Sequence, residues 1–329
     1  EAPHFVMHVR AILSEKYGLK RVEEGGYKVI TTLDYDKQKA GEEEVKKGVE
    51  ARGKQYQFSN AALISLDPKN GQILSMVGSK DYFAEDIDRQ FNVVTLSARQ
   101  PGSSFKPIVY AAAFIKGFLP QTTLWDTATA FKIDTGTYEP KNYNLKENGP
   151  VSMRQALQGS LNIPAVKTLY LVGVSRALDF AETLGYTTLK QRNRFSLALV
   201  LGGAEVKPIE HASAFATFAN EGILYPTSAI LRVEDANGKV LEEWQKPEGA
   251  RVMEPQIPRL ISNVLSDNDA RAYIFGTRNS LTLPDRPVAA KTGTTNNYHD
   301  AWTVGYTPSI VTVVWVGNND NKEMKRGAD

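Results

Sequence analysis

The N-terminal part of the chain alternates between helical and strand-like hydrophobic patterns. Apolar residues recur at intervals of three and four in some segments, whereas β-branched and aromatic residues cluster in others, which predicts helices and strands respectively. A turn-forming stretch, Asp67–Gly71, joins the last two strand-like runs and predicts a hairpin. The predicted elements are a helix at 3–17, a strand at 27–33, a charged helix at about 36–51, and strands at 61–66 and 73–77.

The middle of the chain is predicted to be mainly helical. Its apolar residues repeat with helical spacing. One long polar stretch, Thr127–Pro150, is rich in Gly, Pro, Asn and Tyr and is predicted to be a structured loop. The predicted helices lie at 106–116, 153–160, 164–184 and 208–220.

Strand patterns return towards the end of the chain. Both alternating faces of the last strand-like run are apolar, which predicts a central strand covered on both faces. With strands near the start and at the end and helices between them, the pattern predicts an α+β domain whose sheet is assembled from both ends of the sequence. The predicted elements are a hairpin at 230–243 turning at Asn237-Gly238, a helix at 257–265, and strands at 287–292, 301–306 and 309–316.

Length, charge and residue types narrow the possible functions. The 329 residues can form one large domain or one domain with an accessory segment. The net charge is +2 and the basic residues are scattered, so nothing in the charge pattern favours nucleic acid as a partner. The absence of cysteine excludes disulfides and thiol catalysis. The four histidines fall in no metal-ligand spacing, so no metal and no other cofactor is predicted.

The relation of the chain to membranes is indirect. No apolar run approaches the roughly 20 residues that span a bilayer, and no signal peptide is visible. The chain begins with Glu1 rather than Met, and we interpret it as part of a longer protein. A membrane contact is therefore expected only through parts of the parent chain that this sequence lacks.

The first candidate motif is Ser103-Ser104-Phe105-Lys106. Pro101-Gly102 breaks the chain before it and apolar helix formers follow it, so a helix is predicted to begin within a few residues of Ser103. The serine hydroxyl then lies at the positive end of the helix dipole, which favours a developing alkoxide, and Lys106 lies on the same face. Lys106 can act as a base only if burial or a second cation, such as Lys291, lowers its pKa. Alone, this pattern more often means a helix cap and a solvated lysine.

The second candidate motif is Ser160-Leu161-Asn162, between two predicted helices, where side chains can point into a cleft. Ser266-Asp267-Asn268 matches a Ser-Asp-Asn pattern more literally, but it follows an apolar helical run and precedes a charged segment, as at a helix end on the surface. We therefore assign Ser160 to relay a proton to the leaving amine and Asn162 to hold the substrate amide. An isolated Ser-x-Asn more often caps a helix.

The third candidate motif is Lys291-Thr292-Gly293, which ends a strand-like run. A glycine at the end of a strand often marks the close approach of a ligand, and a substrate peptide can lie along such an edge as an added strand. Lys291 and the hydroxyls of Thr292 and Thr294 are predicted to bind a terminal carboxylate. The backbone N–H groups of Ser103 and Thr294 are predicted to form an oxyanion hole.

The order of the three motifs carries more weight than any one of them. Each is common alone, but together they are typical of an active-site serine enzyme that attacks D-alanyl peptides and penicillins. The sequence has no Gly-x-Ser-x-Gly elbow, no His-Glu-x-x-His and no phosphate-binding glycine loop. His299 and Asp300 are adjacent and point opposite ways on a strand, which disfavours a triad. Single aromatic residues such as Trp125, Tyr143 and Trp302 more often lie in the core or at a rim than in a binding groove.

Several segments resemble class A penicillin-binding proteins, and the resemblance extends over nearly the whole chain. Residues 99–107, RQPGSSFKP, closely resemble the nucleophile motif of that family. Residues 2–6, APHFV, resemble the stretch that joins the family's glycosyltransferase and transpeptidase domains. Four further segments resemble later blocks of that family: SLNIPAVK at 160–167, GGAEVKP at 202–208, KTGTT at 291–295 and DAWTVGYTP at 300–308.

The resemblance implies a penicillin-binding, transpeptidase-like fold, in which an antiparallel sheet flanked by helices lies beside an all-helical subdomain and the active site lies between them. It implies a peptidoglycan D,D-transpeptidase that acts outside the cytoplasmic membrane, with D-Ala-D-Ala stem peptides as donors, an amine as acceptor, and β-lactams as covalent inhibitors. Residues 1–58 are interpreted as an interdomain linker or N-terminal segment and 59–329 as the transpeptidase domain. The glycosyltransferase half and the membrane anchor are absent from this sequence, and family members usually continue past Asp329 into a closing helix.

The motif around Ser103 is also compatible with other functions. A D,D-carboxypeptidase or β-lactamase would release the acyl group to water, but no Glu-x-x-Leu-Asn stretch follows the second motif to supply the water-activating base of class A β-lactamases. A penicillin-binding sensor would be acylated stably without turning over peptides, and the APHFV segment favours a synthase over such a module. If the chain were an inactive relative, Ser103, Lys106 and Lys291 would all have to take no part in catalysis.

Overall fold

Helices and antiparallel strands make up the computed structural model, which describes residues 1–85, 87–133 and 136–327. The helices are α1 (Pro3–Tyr17), α2 (Leu19–Glu24), α3 (Tyr35–Tyr56), α4 (Val93–Leu96), α5 (Lys106–Ile115), α6 (Met153–Gln158), α7 (Asn162–Val172), α8 (Val174–Thr183), α9 (Pro208–Ala219), α10 (Gln256–Leu265) and α11 (Asn268–Phe275). The strands are β1 (Lys28–Thr31), β2 (Asn60–Leu66), β3 (Ile73–Val77), β4 (Thr123–Asp126), β5 (Phe131–Ile133), β6 (Gly136–Tyr138), β7 (Gly149–Ser152), β8 (Ile223–Leu224), β9 (Ile230–Glu234), β10 (Val240–Glu243), β11 (Ala250–Arg251), β12 (Ala289–Thr294), β13 (Asp300–Thr307) and β14 (Ile310–Gly317).

A five-stranded antiparallel sheet, in the order β12-β13-β14-β2-β3, joins the two ends of the chain. The central strand β14 pairs with β2 in a register that sets Trp315 opposite Ala62, so the predicted assembly from both ends is confirmed. Val311, Val313 and Trp315 are buried on one face of β14, whereas the other face is only half-buried. The strand is central, as predicted, but its second face is covered only in part, because on that face α3 packs against the neighbouring strands β2 and β3.

The helical part of the fold surrounds α5, whose residues Lys106–Phe114 are all buried. After its first residue the helix is apolar on every side, as expected for a helix that other helices enclose, and α7, α8 and α10 pack against it. The predicted helix at 164–184 is wrong in one respect, because Gly173, at φ 93°, divides it into α7 and α8. The polar stretch 127–150 contains the short hairpin of β5 and β6.

The sheet edge and the helical part meet at β12. A 3-10 turn, Gly102–Phe105, leads into α5 and packs against β12 and β13. Helix α10 packs against both α5 and β12 and so holds the two parts together. This boundary places the strand that carries Lys291 beside the turn that carries Ser103.

Candidate active site

The turn that carries Ser103 is a 3-10 helix over Gly102–Phe105, and α5 begins at the next residue. The prediction that a helix starts within a few residues of Ser103 is confirmed. Pro107 lies in the first turn of α5, where a missing N–H removes no intrahelical hydrogen bond. Ser103 itself is half-buried and lines a cleft, whereas its neighbours Ser104 and Phe105 are fully buried.

Three glycines allow backbones to stack tightly around this turn. A Cβ atom on Gly293 would lie 2.1 Å from the carbonyl oxygen of Pro101, and one on Gly102 would lie 2.5 Å from the carbonyl oxygen of Thr294. A Cβ atom on Gly202 would lie 2.1 Å from the backbone nitrogen of Gly102. The glycine of the third motif therefore admits the backbone of the Gly102–Phe105 turn, here called the nucleophile turn after the role predicted for Ser103. This contact is in addition to the ligand approach that the position of the glycine predicts.

Lys106 is buried, and its ammonium nitrogen points at the second motif. Nζ lies 2.6 Å from the carbonyl oxygen of Ser160, 2.8 Å from Oδ1 of Asn162 and 3.4 Å from Oγ of Ser160. Burial, and secondarily the charge of Lys291, lowers the pKa of Lys106 well below its ordinary value. A neutral Lys106 donates two hydrogens to the two close acceptors and keeps its lone pair, which is the condition for a general base.

Lys291 approaches the same serine from the sheet. Its Nζ donates to Oγ of Ser160 at 2.9 Å and to the carbonyl oxygen of Thr292 at 2.8 Å. Burial, followed by the charge of Arg271, lowers the pKa of Lys291 to about 7. The side chain therefore faces Ser160, the residue predicted to relay a proton, while Thr292, Gly293 and Thr294 line the open cleft.

Ser160 occupies the space between the two lysines because of an unusual backbone conformation. It adopts a left-handed conformation at φ 55° and directly follows Gly159, the C-cap residue of α6. A non-glycine residue in this region costs of order 1 kcal/mol and is often found where function fixes the geometry. The conformation turns both the carbonyl oxygen and the hydroxyl of Ser160 towards Lys106.

Asn162 is held by the polar stretch 127–150, which the sequence predicts as a structured loop but does not link to the motifs. Its backbone N–H donates to Oδ1 of Asn142 at 2.8 Å, and its Nδ2 donates to the carbonyl oxygen of Lys141 at 2.9 Å. Asn142 is fixed in turn by Asp126, a fully buried carboxylate that it contacts at 2.8 and 2.9 Å. Asn148 also donates to Asp126, at 2.6 Å. Since Asp126 lies far from the three motifs in sequence, only the fold reveals its connection to them.

A cleft of about 940 Å³ opens beside Ser103. Of the three aromatic residues considered above, Tyr143 lines it, Trp302 is buried in the core and Trp125 is largely exposed. Tyr273 and Phe275 of α11 also line the cleft. The sequence did not predict this, because nothing in it links that helix to the motifs. The lining residues are Ser103, Tyr143, Asn144, Gly159, Ser160, Asn162, Leu201, Tyr273, Ile274, Phe275, Thr292, Gly293, Thr294, Thr295, Asn296, Asn297 and Tyr298.

The rival motif at Ser266 lies where its surroundings predicted. Ser266 is the residue that ends α10, it is exposed, and its hydroxyl donates back to the carbonyl of Asn263. Asp267 caps the start of α11. His299 and Asp300 contact different groups. Nδ1 of His299 faces the carbonyl oxygen of Asn321 and its Nε2 lies 3.8 Å from the carboxylate of Glu323, whereas Asp300 accepts from the indole of Trp315.

Comparison with known proteins identifies the family. Residues 61–329 match the family described as the penicillin binding protein transpeptidase domain. The chain belongs to this penicillin-binding protein transpeptidase family. It is 35% identical to penicillin-binding protein 1A of Aquifex aeolicus, over 93% of this chain and 44% of that protein. It is 34% identical to penicillin-binding protein 2D of Bacillus subtilis, over 98% of this chain and 46% of that protein.

Solved structures of penicillin-binding proteins share the fold. The chain superposes on PonA1 of Mycobacterium tuberculosis with a TM-score of 0.82 and 26% identity, over 98% of this chain and 84% of that one. A second PonA1 structure, in complex with penicillin V, gives a TM-score of 0.81 at 26% identity. Penicillin-binding protein 1A of Haemophilus influenzae gives 0.85 at 22% identity, over 99% of this chain and 68% of that one. The expected penicillin-binding, transpeptidase-like α+β fold is thereby confirmed.

The transpeptidase-family chain spans less than half the length of these two sequence relatives. Within the residues that the structure describes, no helix combines the length and apolar character needed to cross a membrane. The same described residues contain no cluster of three or more His, Asp or Glu side chains arranged to hold a metal ion.

Proposed function

We propose that this chain is a peptidoglycan D,D-transpeptidase that works through a serine acyl-enzyme. The observation that carries the proposal is the position of Ser160, whose hydroxyl lies 2.9 Å from Nζ of Lys291 and 3.4 Å from Nζ of Lys106, beside the turn that bears Ser103. Membership of the transpeptidase family supports the same chemistry, as does penicillin V in the complex with the related PonA1.

In the first step, Oγ of Ser103 attacks the carbonyl carbon between the two terminal D-alanines of a stem peptide. The proton of Ser103 passes to the lone pair of neutral Lys106. As the C–N bond breaks, Ser160 gives a proton to the leaving nitrogen of D-alanine and recovers one from Lys106. The step forms one ester bond, breaks one amide bond and returns Lys106 to its neutral state.

In the second step, the amine of a neighbouring stem peptide attacks the ester carbonyl carbon. The amine loses a proton through Ser160 and Lys106, the C–O bond breaks, and the proton returns to Oγ of Ser103. A new amide bond then cross-links two strands. A β-lactam acylates Ser103 through the same first step, and its retained leaving group hinders the approach of the amine.

Substrate binding is assigned to β12 and to Asn162. The backbone N–H groups of Ser103 and Thr294 form the proposed oxyanion hole, and the tight stack of the nucleophile turn on Thr294 supports this assignment. The hydroxyls of Thr292 and Thr294 bind the terminal carboxylate, with the charge of Lys291 behind them. Asn162 uses one N–H of its amide for Lys141, and we assign its second N–H to the substrate amide.

The wider biological assignments belong to the same proposal. The substrates are peptidoglycan stem peptides, which places the site on the outer side of the cytoplasmic membrane, and the parent protein is membrane-anchored. Residues 1–58 form a linker or N-terminal segment, and 59–329 form the transpeptidase domain. The family match over 61–329 supports this division.

The first experiment is intact mass spectrometry after incubation with benzylpenicillin. We expect one persistent adduct on the unaltered chain, none on Ser103→Ala, and an unchanged adduct on Ser266→Ala, which removes the serine of the rival motif. Turnover of a D-Ala-D-Ala peptide with an added amine then separates a transpeptidase from a sensor. An adduct that survives Ser103→Ala would refute the assigned nucleophile, and rapid hydrolysis of penicillin would indicate a β-lactamase.

A further inference from the structure

A chain of buried hydrogen bonds reaches the nucleophile turn from the helical part of the fold. The hydroxyl of Ser104, the neighbour of Ser103, lies 2.6 Å from the carbonyl oxygen of Pro101 and 2.9 Å from Nε2 of His211. Nδ1 of His211 lies 2.7 Å from the hydroxyl of Tyr186. Ser104, His211 and Tyr186 are all at most 2% exposed, and none of them lines the cleft.

The chemistry of the groups fixes the direction of every bond in this chain. The carbonyl of Pro101 can only accept, so Ser104 donates its single proton there. Ser104 must then accept from His211, which places the imidazole proton on Nε2. Nδ1 keeps a lone pair and accepts the phenolic proton of Tyr186. Burial lowers the pKa of His211 to about 3, so the ring is neutral as this pattern requires.

The other histidine tautomer would break the pattern. With its proton on Nδ1, His211 would donate to the oxygen of Tyr186 and turn a lone pair towards Ser104. That lone pair would compete with the carbonyl of Pro101 for the only proton of Ser104. In that form the phenolic proton of Tyr186 would also lose Nδ1 as its acceptor. The hydroxyl of Tyr186 and the bond from Ser104 to Pro101 therefore favour the same tautomer, and burial keeps Tyr186 protonated by raising its pKa well above its ordinary value.

The carbonyl of Pro101 is the point where this chain meets the catalytic geometry. It accepts from Oγ of Ser104 and also from the backbone N–H of Ser104, at 3.2 Å, and so closes the 3-10 turn around Ser103. It also lies in the tight contact with Gly293 of the third motif. Trp302, whose ring packs edge-on against His211 at 5.5 Å, donates to the preceding carbonyl of Gln100 at 2.7 Å.

We propose that His211 is a positioning residue for acylation: held as its Nε2–H tautomer by Tyr186, it orients Ser104 and thereby sets the position of Ser103 against β12. This inference rests on the proposed role of Ser103 as nucleophile. His211 touches neither substrate nor reacting atoms and acts only through Ser104.

The test is Tyr186→Phe, which keeps the ring and removes one of the two groups that favour the Nε2–H tautomer. Imidazole ¹⁵N spectra should change from a single Nε2–H form of His211 in the unaltered chain to a mixture in the variant. The first-order acylation rate constant for benzylpenicillin should fall about tenfold, since small misplacements of reacting groups are costly. The Kd of the non-covalent complex should stay unchanged, because the cleft lining is intact.

Two further comparisons separate positioning from general loss of stability. Tyr306→Phe removes another buried phenol, which contacts Ser262 at 3.0 Å, and should lower the melting temperature without changing the acylation rate constant. His211→Gln retains a side-chain N–H for Ser104 and should acylate several-fold faster than His211→Leu.

The outcomes are distinguishable. A tautomer mixture in Tyr186→Phe with an unchanged acylation rate constant would overturn this inference alone. An equal slowing in Tyr306→Phe would also overturn it, since the effect would then follow stability. Failure of the unaltered chain to be acylated would overturn both this inference and the proposed function.

Discussion

Gly202 offers the sharpest test of how closely the nucleophile turn is held. In Gly202→Ala, the new Cβ atom would lie 2.1 Å from the nitrogen and 2.3 Å from the Cα atom of Gly102. Ordinary carbon contacts begin at about 3.5 Å, so the two backbones must separate by roughly 1.3 Å. A misplacement of about 1 Å can cost on the order of 100-fold in rate, and we expect the acylation rate constant of Ser103 to fall by about that factor.

The control is Gly185→Ala, which matches the backbone strain without the clash. Gly202 has φ 83° and Gly185 has φ 95°, so alanine is disfavoured at both positions by about 1–2 kcal/mol. Nothing lies within 4 Å of a Cβ atom on Gly185. Stopped-flow acylation with a fluorescent penicillin, together with urea unfolding, measures both effects. If Gly202→Ala were acylated as fast as Gly185→Ala, the turn would not be held by this contact and the reasoning would fail.

Two further predictions concern buried charges. The pKa of Lys291 is about 7 in the folded chain, against an ordinary value of 10.5. Between these pH values the unfolded chain binds more protons than the folded chain, so the free energy of unfolding rises with pH. We expect Lys291 to contribute a rise of about 2 kcal/mol from pH 7 to pH 9. Urea titrations should show a smaller rise in Lys291→Met, and an identical rise would contradict the lowered pKa. Asp126→Asn should destabilise the fold by about 2 kcal/mol, because it replaces an acceptor of several hydrogen bonds with a group that also donates. The exposed Asp179→Asn should cost less than about 1 kcal/mol, and equal losses would refute a special role for Asp126.

Helices and strands were predictable wherever one periodicity of apolar residues dominated a segment. The strands β2 and β3 agree with the predicted hairpin to within a residue, because a strong turn sequence separates two apolar runs. The break at Gly173 was missed because apolar residues continue with helical spacing on both sides of it. A glycine within a helical pattern does not by itself reveal whether its φ is positive.

The candidate catalytic residues could be singled out from the sequence, but their contacts could not. The three motifs supply the side chains that the structure brings together, yet the sequence assigned Lys291 mainly to a carboxylate, whereas its nitrogen lies against Ser160. The partners of the motifs come from other segments. Asn142, which Asp126 holds, contacts Asn162, and His211 contacts Ser104. One signal for His211 was visible, a single histidine among small apolar residues in α9. Such a histidine is usually a core residue, so the pattern alone could not give it a role.

The pairing of β2 with β14 has a consequence for how the protein is made. At about 5–20 residues per second, the roughly 250 residues between these strands take on the order of 10–50 s to leave the ribosome. During that interval the hairpin of β2 and β3 exposes an apolar edge, and an isolated two-stranded hairpin is barely stable in water. Ser103 is synthesised early, but Lys291 and Thr294 arrive late. An incomplete nascent chain therefore cannot assemble the proposed penicillin site before its last strands emerge.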